Sequence, residues 1–359
     1  MTPLLKSPVS GCDILIFSSS FHQGGAERLA VTLANLLVSN WSVEFLSLNG
    51  QGPFRQELDD SLTCSIVEQS SSLKAIPKLV KQLKRIKPKV VFCSQSHLAF
   101  SMLLAIRLSG LPCKLVAREA SCPSINLLGI SSLLKRTWVK KSAKYAYRRA
   151  DYLVAPAKYV AADVSNYFDL DRTIQVLANP LDKDMVNEQA LAPCEHPWVT
   201  DEQPFVLAVG RLVPEKDYET LIKAIALCQK QQVTRLIILG EGLLREKLTA
   251  LVQDLELSEV VSLTGFASNP FCYMKHCQSF VLSSLVEGMP NALVQAQFLG
   301  APCISSDCPG GASELLPEQN YFPVGDPKAL AKLILNPPSN SQSQLIDTQG
   351  FVPFFESIL

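Results

Sequence analysis

The chain has 359 residues, of which 47% are hydrophobic and 18% charged, so it contains enough apolar side chains for two buried domains. Acidic and basic side chains balance in total, yet residues 1–186 carry 23 Lys and Arg against 14 Asp and Glu, whereas residues 187–359 carry 10 against 19. No apolar run is long enough to span a bilayer, since the most hydrophobic stretch stops at Arg107, and the run after Lys6 and Asp13 is too short for a signal peptide.

The first half of the chain alternates strands with helices. Short apolar runs predict strands in DILIFSSS, VEFLSLN, KVVFCSQ, KLVARE, DYLVAPA and TIQVLANP. Apolar residues at helical spacing predict helices in AERLAVTLANLLVSN and over residues 74–87, 98–108 and 135–149. Strands separated by helices are typical of a doubly wound parallel sheet, so we expect residues 1–184 to form one α/β domain.

The same alternation restarts after an irregular segment. Residues 185–203 contain several prolines and polar residues without a clear period, which predicts a linker. Strands are then predicted in PFVLAVGR, RLIILGEG, VVSLTGF, SFVLSS and PCISSD. We expect a second doubly wound domain over residues 204–340, and residues 341–359 leave room for one helix returning to the first domain. Two such domains place a cleft at their junction, and open α/β sheets bind ligands outside the carboxyl ends of their strands.

Two glycines follow the first predicted strand in HQGGAERLA. Gly24 and Gly25 allow a ligand to approach the backbone, and the N-terminus of the helix behind them favours anions. The segment has neither the GxGxxG pattern of dinucleotide folds nor the P-loop pattern, which argues against both kinds of site. An ordinary glycine turn before a helix is the alternative.

The corresponding position of the second domain carries two cations, in VGRLVPEKDYETL. Arg211 directly follows a strand, and Lys216 lies five residues later, at the start of a helix. A guanidinium binds two oxygens at once, so this pair is a candidate clamp for a diphosphate. Exposed loop charges without a ligand are the alternative.

A third junction, SSLVEGMPNALVQAQFLG, places a carboxylate before a helix. Pro290 suits the first turn of that helix, so the amides of Met289, Asn291 and Ala292 are predicted to point into the cleft, where they could hold phosphate oxygens. Glu287 either complements the helix dipole, worth about 0.3–1 kcal/mol, or accepts hydrogen bonds from a polyhydroxylated ligand.

A glycine turn also follows the strand in PCISSD, within SSDCPGGASELL. A helix is predicted to begin near Ser313 or Glu314. Four glycine-rich or cationic strand-to-helix junctions at one cleft indicate a phosphate-bearing ligand between the domains.

In content and in order these segments resemble glycosyltransferase family 4, retaining nucleotide-sugar enzymes with the GT-B fold of two Rossmann-like domains. The matching segments, within residues 24–311, are GGAERLAVTLANLL, ADYLVAPAKYVAADV, LAVGRLVPEKDYETLIKA, LIILGEG, LTGF and SSLVEGMPNALVQAQFLGAPCISSDCPGG. The resemblance implies transfer of a sugar from a nucleoside diphosphate donor, UDP-linked, to a glycan or lipid-linked acceptor, as in bacterial capsule, lipopolysaccharide and exopolysaccharide enzymes. It implies no cofactor besides this co-substrate.

The resemblance also implies a role for each matching residue. Arg211 and Lys216 match the pair that neutralises the donor diphosphate, and Gly24 and Gly25 match the turn that approaches the donor phosphate. Glu287 matches the first glutamate of a Glu-x7-Glu element, which holds hydroxyls of the donor sugar.

Two neighbouring segments complete the implied donor site. Gly288, Met289 and Pro290 form the loop after the glutamate. Gly265 and Phe266 resemble part of the segment that borders the base.

One position departs from the family pattern. Gln295 stands eight residues after Glu287, where the family has a second glutamate bonded to the ribose. A glutamine keeps one carbonyl acceptor and loses the charge, so we expect donor affinity to be weaker by about 1–2 kcal/mol. The C-terminal segment, GFVPFFESIL, is also shorter than the family's last helix.

The implied chemistry has no protein nucleophile and no metal. Positioning and electrostatic stabilisation of the leaving diphosphate supply most of the rate. Asp182 and Asp184 form a DxD-like pair, but they follow the expected interdomain hinge, so no metal role is predicted. The 11 cysteines lack metal-site spacing and predict reduced, mostly buried thiols in a cytoplasmic protein.

Three residues at strand ends of the first domain are acceptor-side candidates. His97 follows a strand and is predicted to contact the donor sugar or the acceptor, the alternative being a histidine satisfied by its own domain. Arg118 and Glu119 end the next strand.

Two basic helices account for much of the positive charge of the first half. SSLKAIPKLVKQLKRIKPK has an apolar stripe surrounded by lysines, and LLKRTWVKKSAKYAYRRA mixes cations with aromatic residues. Packing on the sheet explains the apolar spacing but not the excess of cations. We therefore expect peripheral binding to anionic lipid at the cytoplasmic face of the cell membrane, and no binding to nucleic acid, because no recognised nucleic-acid motif accompanies the charge.

Two other functions remain open at this stage. A sugar epimerase on the same two-domain fold is disfavoured, because the motifs are those of the transferases. A non-catalytic nucleotide-sugar-binding or scaffold protein is compatible with Gln295 and the short C-terminal segment.

Overall fold

The computed structural model describes residues 11–22, 24–338 and 347–359. Three positions considered above lie outside these ranges. They are Lys6, the residue before the first glycine pair, and the predicted domain boundary at residue 340. The chain divides into two compact units, one formed by Met1–Pro180 with Asp347–Leu359 and the other by Leu181–Ile346.

The first unit contains a sheet of seven strands in the order β3-β2-β1-β4-β5-β6-β7, all paired in parallel. The strands are β1 (Ile14–Ser18), β2 (Val43–Ser47), β3 (Thr63–Ile66), β4 (Val90–Cys93), β5 (Lys114–Arg118), β6 (Tyr152–Ala155) and β7 (Gln175–Val176). Central β1 is buried along its whole length, with Ile14 opposite Val43 of β2 and Val90 of β4. Continuous apolar runs are what a parallel sheet covered on both faces requires.

Helices connect these strands. They are α1 (Gly25–Val38), α2 (Ile76–Ile86), α3 (Ser96–Ser109), α4 (Pro123–Asn126), α5 (Leu133–Arg149) and α6 (Lys158–Phe168). In α2 the buried residues are Leu79, Leu83 and Ile86, one stripe at helical spacing that faces the core.

The second unit contains a sheet of six parallel strands in the order β10-β9-β8-β11-β12-β13. The strands are β8 (Phe205–Val209), β9 (Arg235–Leu239), β10 (Val261–Gly265), β11 (Ser279–Leu282), β12 (Cys303–Ser306) and β13 (Tyr321–Phe322). Its helices are α7 (Lys183–Ala190), α8 (Pro197–Thr200), α9 (Tyr218–Cys228), α10 (Arg245–Asp254), α11 (Phe271–His276), α12 (Asn291–Phe298) and α13 (Pro327–Leu335).

Alternate residues of β8 face two separate cores. Phe205 and Leu207 pack into one core with residues of α7, α11 and α12, whereas Val206 and Ala208 pack into another with residues of α9, α10 and α13. This sheet is therefore covered on both faces, which is the doubly wound arrangement predicted from the alternating pattern.

The last helix, α14 (Phe351–Ile358), belongs to the first unit. Its Phe351 and Phe355 are fully buried, and their ring centroids lie 5.9 and 6.4 Å from that of Phe92 on β4. The Lys114 ammonium donates to the carbonyl oxygen of Ile358 at 2.6 Å, where a cation complements the helix C-terminus. The short apolar segment thus forms an integral part of the core.

Several details differ from the predicted elements. The edge strands β3 and β13 were not predicted, and the helix predicted near Ser313 is a single 3-10 turn, Gly311–Glu314, that cannot extend through Pro317. The segment predicted as a linker includes most of α7 and all of α8, and α7 buries Val186 in the second unit. Among the described residues, no helix has the length and hydropathy needed to cross a membrane.

Candidate functional site

The carboxyl ends of neighbouring strands bring the predicted donor residues of the second unit to one edge of its sheet. Strands β8, β11 and β12 are adjacent, and all run in the same direction. The turn after β8 carries Arg211 and Lys216, the loop after β11 carries Glu287, and the loop after β12 carries Gly310. Ligands of open α/β sheets bind at this edge.

Lys216 and Glu287 form an ion pair at the centre of this group. Both side chains are largely buried, with 22% and 11% of their surface exposed, respectively. The hydroxyl of Ser284 donates to the same oxygen, Glu287 Oε1, at 2.6 Å. Glu287 Oε2 makes no hydrogen bond to any residue that the structure describes, so one carboxylate oxygen is anchored while the other is available to a ligand.

Backbone contacts hold the two loops together. The Ser283 hydroxyl donates to the carbonyl oxygen of Lys216 at 2.7 Å, and the Leu285 amide donates to that of Glu215 at 2.8 Å. Behind the pair, burial and the charge of Glu287 raise the pKa of Tyr218, so this phenol stays neutral. The ion pair is thus fixed by the turn after β8 as well as by its own attraction.

Gly310 lies against the backbone of Glu287. The amide of Glu287 donates to Pro309 O at 3.0 Å, and the amide of Gly311 donates to Gly288 O at 2.9 Å, so the two loops form a short parallel bridge. Gly310 has a φ of 118°, and a Cβ at this position would lie 1.5 Å from Glu287 O. A side chain is therefore excluded where the loop carrying the carboxylate passes.

Arg211 differs from Lys216 in forming no ion pair with any residue that the structure describes. Its side chain is exposed and makes no hydrogen bond or ion pair within the described part of the chain. The predicted clamp of two cations thus consists of one unpaired guanidinium and one ammonium that already neutralises Glu287.

The helix after Glu287 begins at Asn291, one residue later than the predicted first turn. Pro290 is the N-cap, and its carbonyl oxygen accepts hydrogen bonds from the amides of Leu293 and Val294 at 3.0 and 3.2 Å. Met289 and Ala292 are partly buried against the core of the second unit.

Gln295 is partly exposed on α12 and makes no side-chain hydrogen bond to a described residue. Gly265 ends β10 with a φ of 93°, and the ring of Phe266 after it is exposed. Nearby, Arg245 is paired with Glu241 and donates to Leu263 O at 3.2 Å.

In the first unit, Gly24 caps the N-terminus of α1, and Gly25 is its first residue. The first turn of α1 contains Glu27, which sequence reasoning missed. Its Oε1 accepts hydrogen bonds from Ser19 Oγ at 2.8 Å and from Gln95 Nε2 at 3.0 Å, and so links the ends of β1 and β4. Its position in the sequence, a carboxylate in the first turn of a helix that follows a glycine pair, could have identified Glu27 as a candidate site residue.

His97 lies at the second position of α3, with part of its surface exposed and the rest packed against the first unit. Desolvation by the surrounding protein lowers the pKa of the His97 imidazole, and the negative charge of Glu27 acts in the opposite direction. A neutral imidazole near a carboxylate can accept a proton or a hydrogen bond from a ligand hydroxyl.

Arg118 and Glu119, by contrast, form hydrogen bonds to other residues of the first unit. Arg118 is buried and donates to Asn179 Oδ1, and burial lowers its pKa to about 10. Glu119 accepts hydrogen bonds from Tyr147 Oη at 2.7 Å and Ser121 Oγ at 3.2 Å; burial raises its pKa, and these bonds oppose the shift. In this structure both residues fasten β5 to its neighbours.

Asp182 of the DxD-like pair is a helix cap. Its Oδ1 accepts a hydrogen bond from the Met185 amide at 2.9 Å, at the start of α7. The described residues include no group of three or more His, Cys, Asp and Glu side chains placed to hold a metal ion.

Two family models match the chain. "Glycosyltransferase Family 4" matches residues 23–185, and "Glycosyl transferases group 1" matches residues 197–343. Both halves of the chain, with nearly all of the site residues above, thus lie within matched regions.

Individual proteins are similar over most of the chain. An N-acetylgalactosamine-N,N'-diacetylbacillosaminyl-diphospho-undecaprenol 4-alpha-N-acetylgalactosaminyltransferase of Campylobacter jejuni is 28% identical over 321 residues, covering 85% of this chain and 84% of that protein. A UDP-Gal:alpha-D-GlcNAc-diphosphoundecaprenol alpha-1,3-galactosyltransferase of Escherichia coli is 25% identical over 311 residues, covering 80% and 77%. The crystal structure of Anabaena HepE in complex with UDP-glucose superposes with a TM-score of 0.79 at 17% identity, over 97% of this chain and 98% of that one.

Proposed function

Because the chain belongs to the glycosyltransferases that join a family 4 domain to a group 1 domain, we propose that it is a retaining enzyme that transfers a sugar from a UDP-linked donor. Its two parallel sheets are the Rossmann-like domains of the GT-B fold. The observation that carries the proposal is the anchored Glu287, whose second carboxylate oxygen is left for a ligand at the carboxyl edge of the sheet.

The donor would use the charges of this edge in two ways. The unpaired Arg211 guanidinium binds two diphosphate oxygens at once, which a planar fork of donors favours. Lys216 pairs with Glu287 and adds positive charge beside the leaving phosphate. Glu287 Oε2 then accepts hydrogen bonds from hydroxyls of the donor sugar, which orients the anomeric carbon.

The reaction needs no protein nucleophile. The bond between the anomeric carbon and the diphosphate oxygen breaks, and the acceptor hydroxyl forms the new bond on the same face. The leaving phosphate takes the hydroxyl proton. Arg211 and Lys216 stabilise the charge that develops on this phosphate, and such preorganised groups supply most of the rate without a metal ion.

The acceptor is proposed to be a glycan or a lipid-linked saccharide in surface-polysaccharide assembly at the cytoplasmic face of a bacterial membrane. The relatives from Campylobacter jejuni and Escherichia coli, whose names specify undecaprenol diphosphate acceptors, support this choice. His97 is the acceptor-side candidate that the geometry favours, since Arg118 and Glu119 are held inside their domain.

The test combines donor binding with turnover. UDP and UDP-sugars should raise the melting temperature more than GDP or GDP-sugars, because only a bound ligand stabilises the folded state. Glu287→Gln should reduce donor hydrolysis and transfer at least about 100-fold, whereas Glu219→Gln, which breaks the exposed pair with Lys247, should change them little.

Other outcomes would redirect the assignment. Donor binding without turnover in the wild type would favour a non-catalytic nucleotide-sugar-binding protein. An inverted anomeric centre in the product, read by NMR, would reject retention, and loss of activity in EDTA would reject metal independence.

A further inference from the structure

An unusually basic segment of the first unit lies between Glu119 and Asp151. Residues 120–150 contain no aspartate or glutamate. The same residues contain seven cations: Lys135, Arg136, Lys140, Lys141, Lys144, Arg148 and Arg149. All seven lie on α5, so the helix is a concentrated source of positive potential.

The beginning of α5 and the 3-10 turn before it, Leu127–Gly129, also expose large apolar side chains. The exposed fractions are 65% for Leu128, 65% for Leu133, 85% for Leu134 and 49% for Trp138. The buried residues of α5 are Ala143, Ala146 and Tyr147, so its first turns do not pack into the core. Single exposed leucines are ordinary, but four large apolar residues within eleven positions mark an interaction surface.

Helical geometry places apolar and basic residues on the same side. Leu134, Trp138 and Lys141 stand at i, i+4 and i+7 of α5 and share one face. The Trp138 ring meets Phe100 edge-on, with centroids 6.0 Å apart, and this contact fixes the indole while leaving about half of it exposed. Leu133 and Lys135 flank this face on either side, and Leu128 lies in the turn before the helix; we call Leu128, Leu133, Leu134, Lys135, Trp138 and Lys141 the docking face.

The cations at the two ends of α5 have different surroundings. Near the C-terminus, Lys144 and Arg148 pair with Asp169. On the docking face, Lys135 and Lys141 form no ion pair with any residue in the described ranges. An anionic partner would supply the missing negative charge.

The other predicted basic helix, α2, lacks the apolar part of this arrangement. Its apolar stripe of Leu79, Leu83 and Ile86 is buried against the sheet. Lys81 and Lys84 are exposed, but α2 contributes no exposed large hydrophobic residue. The two helices, which the sequence presents as equivalent, are thereby distinguished.

We propose that the docking face binds an anionic lipid bilayer. The leucines and Trp138 enter the headgroup region, and Lys135 and Lys141 contact lipid phosphates, the arrangement that basic amphipathic helices adopt at membrane interfaces. The proposal rests on the proposed function in one respect, since a lipid-linked acceptor gives the enzyme a reason to dock. Docking itself requires no turnover.

Flotation of the full chain with vesicles tests the proposal. The wild type should bind vesicles containing phosphatidylglycerol more strongly than vesicles of phosphatidylcholine alone, and salt should weaken the binding. Each basic residue near the surface is worth about fivefold in affinity, so Lys135→Glu with Lys141→Glu should weaken binding at least about 25-fold.

The apolar half of the face has its own variant. Leu133→Ser with Leu134→Ser should reduce binding even at low salt, because the apolar contribution is not screened. The matched control is Lys81→Glu with Lys84→Glu on α2, which makes the same change of net charge and should weaken binding only several-fold. Circular dichroism of each variant checks that it folds.

The outcomes separate this proposal from the proposed function. The proposal is overturned if the α2 and α5 charge reversals weaken vesicle binding equally, or if neither α5 variant weakens it. Binding to heparin without binding to vesicles would also overturn it. If the chain binds vesicles but shows no donor turnover, the membrane-binding proposal stands and the proposed enzymatic function is rejected. Donor hydrolysis in solution should be the same in the α5 variants as in the wild type.

Discussion

Replacing Gly310 by alanine should displace the catalytic carboxylate without changing any charged residue. Gly310 has φ 118° and ψ −162°, a region that residues with a side chain rarely adopt. The added Cβ would lie 1.5 Å from Glu287 O, a backbone atom that can give way only if the loop after β11 moves.

Two contributions add to the cost of this substitution. The backbone strain is worth about 1–3 kcal/mol. The loop must also move by more than about 1 Å to restore contact, which weakens the two bridging amide bonds, each worth about 0.5–1.5 kcal/mol. The second unit should lose at least about 2 kcal/mol, or about 4 °C in melting temperature. A 1 Å misplacement of a catalytic group can cost about 100-fold in turnover.

Gly300→Ala is the matched control. Gly300 also has a positive φ, 80°, but a Cβ there meets no atom within 4 Å. It should cost about 1–2 kcal/mol of stability and leave kcat/KM for the donor unchanged. Urea denaturation and steady-state kinetics measure both effects. Wild-type turnover in Gly310→Ala, or an equal loss in Gly300→Ala, would refute the reasoning.

Three further predictions concern other parts of the molecule. Gln295→Glu should tighten UDP binding about 5- to 30-fold by calorimetry, and unchanged affinity would mean that other groups hold the ribose. His196 caps α8 by accepting the Trp198 amide at Nδ1, and burial lowers its pKa, so protonation favours the unfolded chain. Stability should be full above the unfolded value of about 6.5 and fall as pH drops through it, with a smaller slope in His196→Asn. Phe355→Ala should cost the first unit about 3–5 kcal/mol in urea denaturation, and a loss below 1 kcal/mol would contradict the burial of α14.

The sequence was sufficient for most of the two sheets, because strands buried on both faces appear as continuous apolar runs. It failed at the edges. TCSI in β3 is only partly buried, and YF in β13 has two residues, so neither leaves a periodic signal. Residues 183–190 form a helix although their apolar residues are few, because Val186 and Ala190 pack into the core of the second unit that α11 and α12 also line. Such tertiary packing cannot be read from local pattern.

The sequence names the candidate site residues one by one, but it does not predict which of them pair. A pattern of turns identifies Lys216 and Glu287 as separate candidates 71 positions apart, and only the adjacency of β8 and β11 makes them partners. The hydrogen bond from Tyr147 to Glu119 was equally unpredictable. Tyr147 lies on α5, and the sequence pattern of this helix predicts a charged surface.

The position of α14 has a consequence for synthesis. The chain leaves the first unit after Pro180 and returns to it at Asp347, so the whole second unit is made before α14 exists. All seven strands of the first sheet are therefore synthesised before α14. Until α14 is made, Phe92 and Trp41 lack the contacts that Phe351 and Phe355 provide. The unit that is translated first is completed last, and the second unit is free to fold during that interval.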